Sequence, residues 1–245
     1  MEPDFSRLFH QSSKDRARGH RPIAADSREW PKEWHTTYYK TYPRLPKIAL
    51  PDTAPAADFF DLIRKRKSRR DFSQAPLSLE RFSSLLRYSC GIVGTLEDGR
   101  PKRAHPSGGA RFPLEIYPLV FRGSEHVPAG AYHYNCKAHA LDQLWEREFS
   151  EQERSTLFLY PWVKKAAAVF VLTAVFWRSK DKYGEAGYRY LLLEGGHIGQ
   201  NMYLAAEALG LKCSALGGAT DKSLEAILDI DGITESAIYA LAVGV

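Results

Sequence analysis

The chain is short of sulfur, with three cysteines and two methionines in 245 residues. Cys90, Cys136 and Cys213 are odd in number and widely spaced, with neither a C-x-x-C pair nor a metal-ligand spacing. That excludes a disulfide scaffold and a zinc module, and it fits a reduced, cytoplasmic setting with no bound metal. Long apolar runs are lacking as well. The longest covers residues 166–177; it falls short of the roughly 20 residues of a membrane-spanning helix and reads as a buried strand. The stretch MEPDFSRLFHQSSKDRARGH has no apolar core, which argues against a secretory signal. No G-x-G-x-x-G follows a strand, so a Rossmann nucleotide site is not supported. Internal repeats and low-complexity tracts are absent too.

What is present is ordinary globular composition, 44% hydrophobic and 26% charged, enough for one large domain with a filled core. Aromatic residues reach 12%, thirteen of them Tyr and five Trp, which suits a protein that builds aromatic walls. The net charge of +5 is modest, and an anionic cofactor accounts for it as well as nucleic acid does. Its distribution is uneven: six of the seven residues 64–70 are basic.

Residues 1–55 are polar and punctuated by proline, with Trp30, Trp34, Tyr38 and Tyr39 as anchors. They are predicted to form an extended arm lying over a body, its own or that of a second subunit. Residues 56–245 form the domain. Helices are predicted over 56–66, over 79–90 with Ser78 as N-cap and Gly91 as stop, over 188–209 closed by Gly210, and over 222–228. Strands are predicted over 114–122, 131–135, 138–144, 169–176 and 238–243, the second and third forming a hairpin. Helices and strands mix without βαβ alternation, so the class is α+β.

Several constellations carry chemistry. Arg66, Lys67, Ser68, Arg69 and Arg70 place guanidinium forks, an ammonium and a hydroxyl where a helix ends, a set suited to a phosphate monoester. On charge alone a solvated or nucleic-acid-binding face is the better explanation of the run. Pro106-Ser107-Gly108-Gly109 and Leu216-Gly217-Gly218 are loops whose glycines let backbone approach a planar ligand. On the long helix, Glu194, His197 and Asn201 make a polar stripe that reads as buried hydrogen bonding. Gly195 and Gly199 leave room there for a second helix, such as one from a two-fold partner. Lys182-Tyr183, on a polar stretch read as a loop, becomes interesting beside a cofactor, where either group can take or give a proton.

In this order, four stretches resemble the SagB-type thiazoline/oxazoline dehydrogenases, a branch of the nitroreductase-like FMN oxidoreductases. They are RKSRRDF (66–72), PSGGARFPLEIY (106–117), KYGEAGYRYLLLEGGHIGQNMYLAAEALGL (182–211) and ALGGATDKSLEAILDIDG (215–232). The resemblance covers residues 55–245. It implies a nitroreductase-like FMN-binding fold, a central mixed or antiparallel sheet flanked by helices, and a homodimer with FMN at the interface. Arg66, Lys67, Ser68 and Arg70 would then hold phosphate and ribityl oxygens. Pro106, Ser107, Gly108 and Gly109 would line the isoalloxazine, with Leu216, Gly217 and Gly218 on its far side. Lys182 and Tyr183 match a catalytic Lys-Tyr pair. Ala186 and Arg111-Phe112-Pro113 depart from the usual pattern, and a basic residue beyond the last strand has no counterpart.

The implied reaction is azoline oxidation on a small-molecule or peptide substrate, with a cyclodehydratase as partner. A base removes a ring proton while hydride passes to flavin N5. The rival enzyme is an NAD(P)H-dependent nitro or quinone reductase, which needs no dedicated base. A nucleic-acid-binding protein using residues 64–70, and a flavin-binding protein without catalysis, are the readings from other classes.

Overall fold

A computed structural model describes residues 5–13, 26–97 and 99–245. Among them the chain order is α1 (Phe5–Ser12), α2 (Lys32–His35), β1 (Lys47–Ala49), α3 (Phe59–Lys65), α4 (Leu79–Cys90), β2 (Ile92–Thr95) and β3 (Pro101–Arg103). Then come β4 (Leu114–Val120), β5 (Gly130–Asn135), β6 (Ala140–Glu146), α5 (Glu151–Leu157), β7 (Ala168–Val175), α6 (Trp177–Tyr183), α7 (Ala186–Ala208), β8 (Lys212–Leu216), α8 (Asp221–Leu228) and β9 (Glu235–Gly244). Seven strands form one sheet in the order β1-β6-β5-β4-β7-β9-β8, antiparallel at every pairing. β2 and β3 make a separate ribbon. No helix of the described residues is long and apolar enough to cross a membrane.

The sheet is covered on both faces, which is why β7 reads as an unbroken apolar run. Leu114, Ile116 and Val120 of β4 pack with Leu85, Leu86, Leu191, Ile198 and Met202 of α4 and α7. Tyr117, Leu119 and Phe121, on the alternate positions, join Phe149, Leu157, Phe158 and Leu224 on the other face. α4 begins as predicted, with Ser78 accepting from the Arg81 N–H. It stops at Gly91, where a Cβ would sit 2.6 Å from the Arg87 Cα.

Part of the outer face is polar. Glu115 bonds His133 (2.9 Å) and Arg178 (2.6 Å), while His133 lies 3.5 Å from Asp142. Beside them Glu235 accepts from Lys40 (2.6 Å), Tyr117 (3.0 Å) and Thr173 (2.6 Å). The arm seals this patch: Lys40 and Tyr42 lie on it, Lys47 pairs with Asp142, and β1 extends the sheet beside β6. The arm therefore packs on its own chain.

Three expectations change. α6 is a helix where the polar stretch 179–187 reads as a loop, because its inward face carries Arg178, Ser179 and Lys182 rather than apolar residues. Gly195 and Gly199 face the chain's own sheet, against Ile238 and Tyr239, and not a second helix. The Glu194–His197–Asn201 stripe divides: Glu194 and Asn201 make internal hydrogen bonds, whereas His197 is exposed.

Candidate active site

The loop 104–112 is folded tightly against α7. Glu194, 2% exposed, accepts from Ser107 Oγ (2.6 Å) and lies 3.2 Å from His105 Nε2. Asn201 donates to the carbonyls of Ser89 and Ala104. Ser107 Oγ also accepts from the Phe112 N–H at 2.8 Å. The Ser107 hydroxyl is thus engaged in shaping the loop, and Pro106 and Gly108 are left exposed on either side of it. Gly109, Ala110 and Phe112 all have positive φ (61°, 55° and 45°). Two of these three are non-glycine residues, and such strain collects where a site over-determines the backbone.

The Lys-Tyr pair lies directly on this loop. A Cβ on Gly109 would stand 2.2 Å from Tyr183 Oη and 3.0 Å from Lys182 Nζ, so only glycine admits both groups. Tyr190 packs edge-on against Tyr183, with ring centroids 5.0 Å apart. Lys182 is 3% exposed. Its Nζ lies 3.3 Å from the ring centroid of Trp30 and 5.2 Å from that of Trp34, a contact that stabilises the ammonium. Those tryptophans belong to the arm. Arg111, fully buried, fixes the arm there by donating to the carbonyls of Glu33 (2.6 Å) and Thr36 (3.3 Å), and through Nε to that of Arg178 (2.7 Å). Burial pulls the Arg111 guanidinium below its ordinary pKa.

The basic run gathers around β8. Arg69 bonds Glu207 of α7 and donates its N–H to the Cys213 carbonyl, so it serves the fold. Arg66 and Arg70 meet no carboxylate among the described residues; their guanidiniums lie 5.4 Å from the rings of Tyr203 and Trp162. Ser68 Oγ is 3.0 Å from Tyr203 Oη, which also accepts from the Ala215 N–H (2.7 Å). Tyr203 is the positioning residue that sequence reasoning missed, since an aromatic at helical spacing reads as core. Lys67 is exposed beside them. Gly217 is exposed at the mouth of a cavity of about 430 Å³ lined by Tyr188, Leu192, Leu216, Ile238 and Tyr239. Gly218 is buried instead under Leu159 and Tyr160.

Within one chain the predicted residues therefore form two groups. Arg66, Lys67, Ser68 and Arg70 share β8 with Leu216 and Gly217, whereas Pro106–Gly109 go with Lys182 and Tyr183. The α7 residues that mark them, Tyr203 and Tyr190, are about 20 Å apart along the helix axis.

The sequence profile of the nitroreductase family matches residues 63–245. The chain belongs to the nitroreductase family. MJ1384 of Methanocaldococcus jannaschii, assigned as a nitroreductase, is 32% identical over 184 residues, which is 75% of this chain and 90% of that one. The trifolitoxin-processing protein TfxB of Rhizobium leguminosarum bv. trifolii is 31% identical over 220 residues, covering 85% of this chain and 59% of its own length. Among solved structures, one from Anabaena variabilis, assigned as a nitroreductase, superposes with a TM-score of 0.73 at 24% identity over 99% of this chain and 46% of that one. The Escherichia coli microcin synthetase McbBCD complex with truncated pro-MccB17 bound gives 0.62 at 20% identity, covering 98% and 91%. A Desulfovibrio desulfuricans structure in complex with FMN, assigned as a nitroreductase, gives 0.53 at 18% identity, covering 76% and 84%. These likenesses establish a nitroreductase-like fold.

Gly109→Ala is the sharpest local probe of the site. The added methyl displaces Tyr183 and Lys182, whose mobile ends can move aside, so stability falls by only about 1–2 kcal/mol for the left-handed backbone. Turnover is expected to fall roughly 10²-fold, the cost of a displacement near 1 Å. Urea unfolding and steady-state rates measured side by side separate the two effects.

Proposed function

We propose that this nitroreductase-family oxidoreductase binds FMN and oxidises an azoline-type, peptide-derived substrate, with Lys182 and Tyr183 handling the proton. The residues fit the cofactor. Arg66 and Arg70 offer two guanidiniums without carboxylate partners, steadied over aromatic rings, and Ser68 adds a hydroxyl. That donor set matches a phosphate monoester. Gly217 and the exposed Gly108 leave backbone bare for a flat ring. The roughly 20 Å between the two groups supports a homodimer in which one copy supplies the basic run and its partner supplies the Gly-Gly loop and the Lys-Tyr pair.

Bound FMN supplies the two-electron acceptor for hydride. The chain's own residues supply the rest. Tyr183 Oη and Lys182 Nζ converge on Gly109, where they would face a substrate lying along the loop. The arm excludes water from Lys182. Trp30 covers Nζ, so proton transfer there requires the arm to yield when substrate enters. The single observation that carries this reading is the burial of Lys182 against Gly109, since a solvent-facing lysine would serve no proton transfer. An NAD(P)H-driven nitro or quinone reductase would need no such group. TfxB, a trifolitoxin-processing protein, and the McbBCD microcin synthetase with truncated pro-MccB17 bound support a peptide-derived substrate; a cyclodehydratase partner in the cytoplasm would supply it.

The absorbance spectrum of the purified protein tests the cofactor. Flavin bands are expected, and they should weaken at least tenfold in occupancy in an Arg66→Ala/Arg70→Ala double variant. A colourless wild-type protein with steeply salt-dependent DNA affinity would replace the proposal with the nucleic-acid reading. Rapid bleaching by NADPH without a peptide would favour the reductase.

A further inference from the structure

Arg103 of β3 is a half-buried cation that makes no direct ion pair among the described residues. Its guanidinium is sandwiched between Phe112 (4.8 Å to the ring centroid) and Tyr39 (5.4 Å). Among the described residues its side chain meets no carboxylate and donates no hydrogen bond, and its Nε is closed off from solvent without a partner. Stacking between two rings stabilises the charge through their faces and leaves the in-plane donors of the guanidinium unused. Burial works to lower the guanidinium's pKa, but its surroundings, Glu115 among them, outweigh it and raise it, so the charge is held while its donors stay open to an anion.

The place for one is beside it. Arg103 lines a cavity of about 400 Å³ together with Leu96, Arg100, Lys102, His105 and Phe112. This cavity is distinct from the one at Gly217, and its lining sets basic side chains beside Leu96 and Phe112. His105 adds a second constraint. It is 4% exposed and held through Nε2 by Glu194, while its Nδ1 has no partner among the described residues. Because a carboxylate only accepts, Nε2 donates to Glu194, and Nδ1 is the ring nitrogen left for an occupant. The cavity thus offers a fork for an anion and, nearby, a ring nitrogen for a peptide group. The terminal residue of a peptide carries both.

We propose that this cavity binds the C-terminal carboxylate of a peptide or acylated amino acid, with the carboxylate on Arg103 and the adjacent amide group on His105. Ser107 and Ala110 line the same cavity, and the loop they belong to packs against Lys182 and Tyr183 of α6. An occupant would lie at the edge of the candidate active site, its far end anchored. Only the identity of the natural ligand rests on the peptide-substrate reading above; binding itself does not.

Isothermal titration of the flavin-loaded protein with N-acetylphenylalanine, its C-terminal amide and inorganic phosphate tests this without turnover. The acid should bind at least tenfold more tightly than the amide or phosphate. Arg103→Gln should weaken the acid at least tenfold, and Arg103→Lys, which keeps the charge but loses the fork, should weaken it as well. Lys182→Ala should bind the acid like the wild type, which separates this site from the catalytic reading. Equal affinity for acid and amide, no binding of either, or an unchanged Arg103→Gln variant would make Arg103 a structural prop between two rings. Tighter binding of phosphate would make the cavity a phosphate site. The comparison of acid with amide needs only the wild-type protein, so it holds even if the variants do not fold.

Discussion

Replacing Lys182 by alanine is expected to slow substrate oxidation by about 10²–10⁴-fold while the protein stays yellow, the range that a positioned acid or base contributes. The residue is well placed for that split. It stands 3.0 Å from where a Gly109 Cβ would be, yet it belongs to a different group from Arg66, Ser68 and Arg70, which would hold the phosphate. Flavin occupancy by absorbance and the rate at saturating substrate can be read on the same sample. Tyr183→Phe should share the loss of rate if the phenol relays or orients the proton. Near-wild-type oxidation by Lys182→Ala would sink the proton-transfer role, and loss of colour along with activity would mean that the residue serves binding instead.

The arm gives this experiment a companion observation. Trp30 and Trp34 cover the lysine, and Arg111 ties the backbone between them and Tyr38 to the body through two carbonyls. Sequence reasoning recognised the arm by its aromatics, and also recognised Lys182-Tyr183, but it had no means to join them. The link is made by cation–π contact across some 150 positions of chain, which no periodicity reports. Arg111 acquires a physical meaning here: it is the residue that anchors the arm.

Legibility followed burial pattern. β7 was readable because its apolar run is unbroken, and α7 because Leu191, Ile198 and Met202 recur at helical spacing up to the Gly210 stop. α4 was readable because Ser78 and Gly91 mark its ends by mechanisms that act locally. β8, with the sequence KCSAL at a sheet edge, has too little alternation to declare itself. α6 was hidden because its buried face is polar, and that inversion is itself the trace of a site. The same inversion hides the charged patch on β4, β5 and β6, where Glu115, His133 and Asp142 occupy positions that a sheet usually fills with apolar side chains. The basic run was legible as chemistry but not as geometry. Arg69 looks equivalent to its neighbours in sequence, and only the fold assigns it to Glu207.

That buried patch carries the largest expected effect on stability. Glu115→Ala is predicted to cost about 3–5 kcal/mol in urea unfolding, since it leaves Arg178 and His133 buried without their shared carboxylate. The pH dependence has a definite sign. Burial works to raise the Glu115 carboxyl, but His133 and Arg178 outweigh it and hold the group at about 2, against an ordinary 4.5. Its stabilising contribution is therefore complete above pH 4.5 and is lost as pH falls toward 2. Burial works to lower His133, but Asp142 and Glu115 outweigh it and raise the imidazole above its ordinary 6.5. Its contribution is complete below pH 6.5 and is lost as pH rises through the raised value. The cluster stabilises most between about pH 4.5 and 6.5, and unfolding midpoints measured across pH should show both flanks. In Glu115→Gln the acid flank should become shallower, because one of the cluster's two lowered carboxylates is gone and Asp142 remains, and the alkaline flank should weaken, because His133 keeps only Asp142. An acid flank equally steep in Glu115→Gln and wild type would assign the pH dependence to other carboxylates, and a Glu115→Ala variant as stable as wild type would show that the two cations are solvated where the structure buries them.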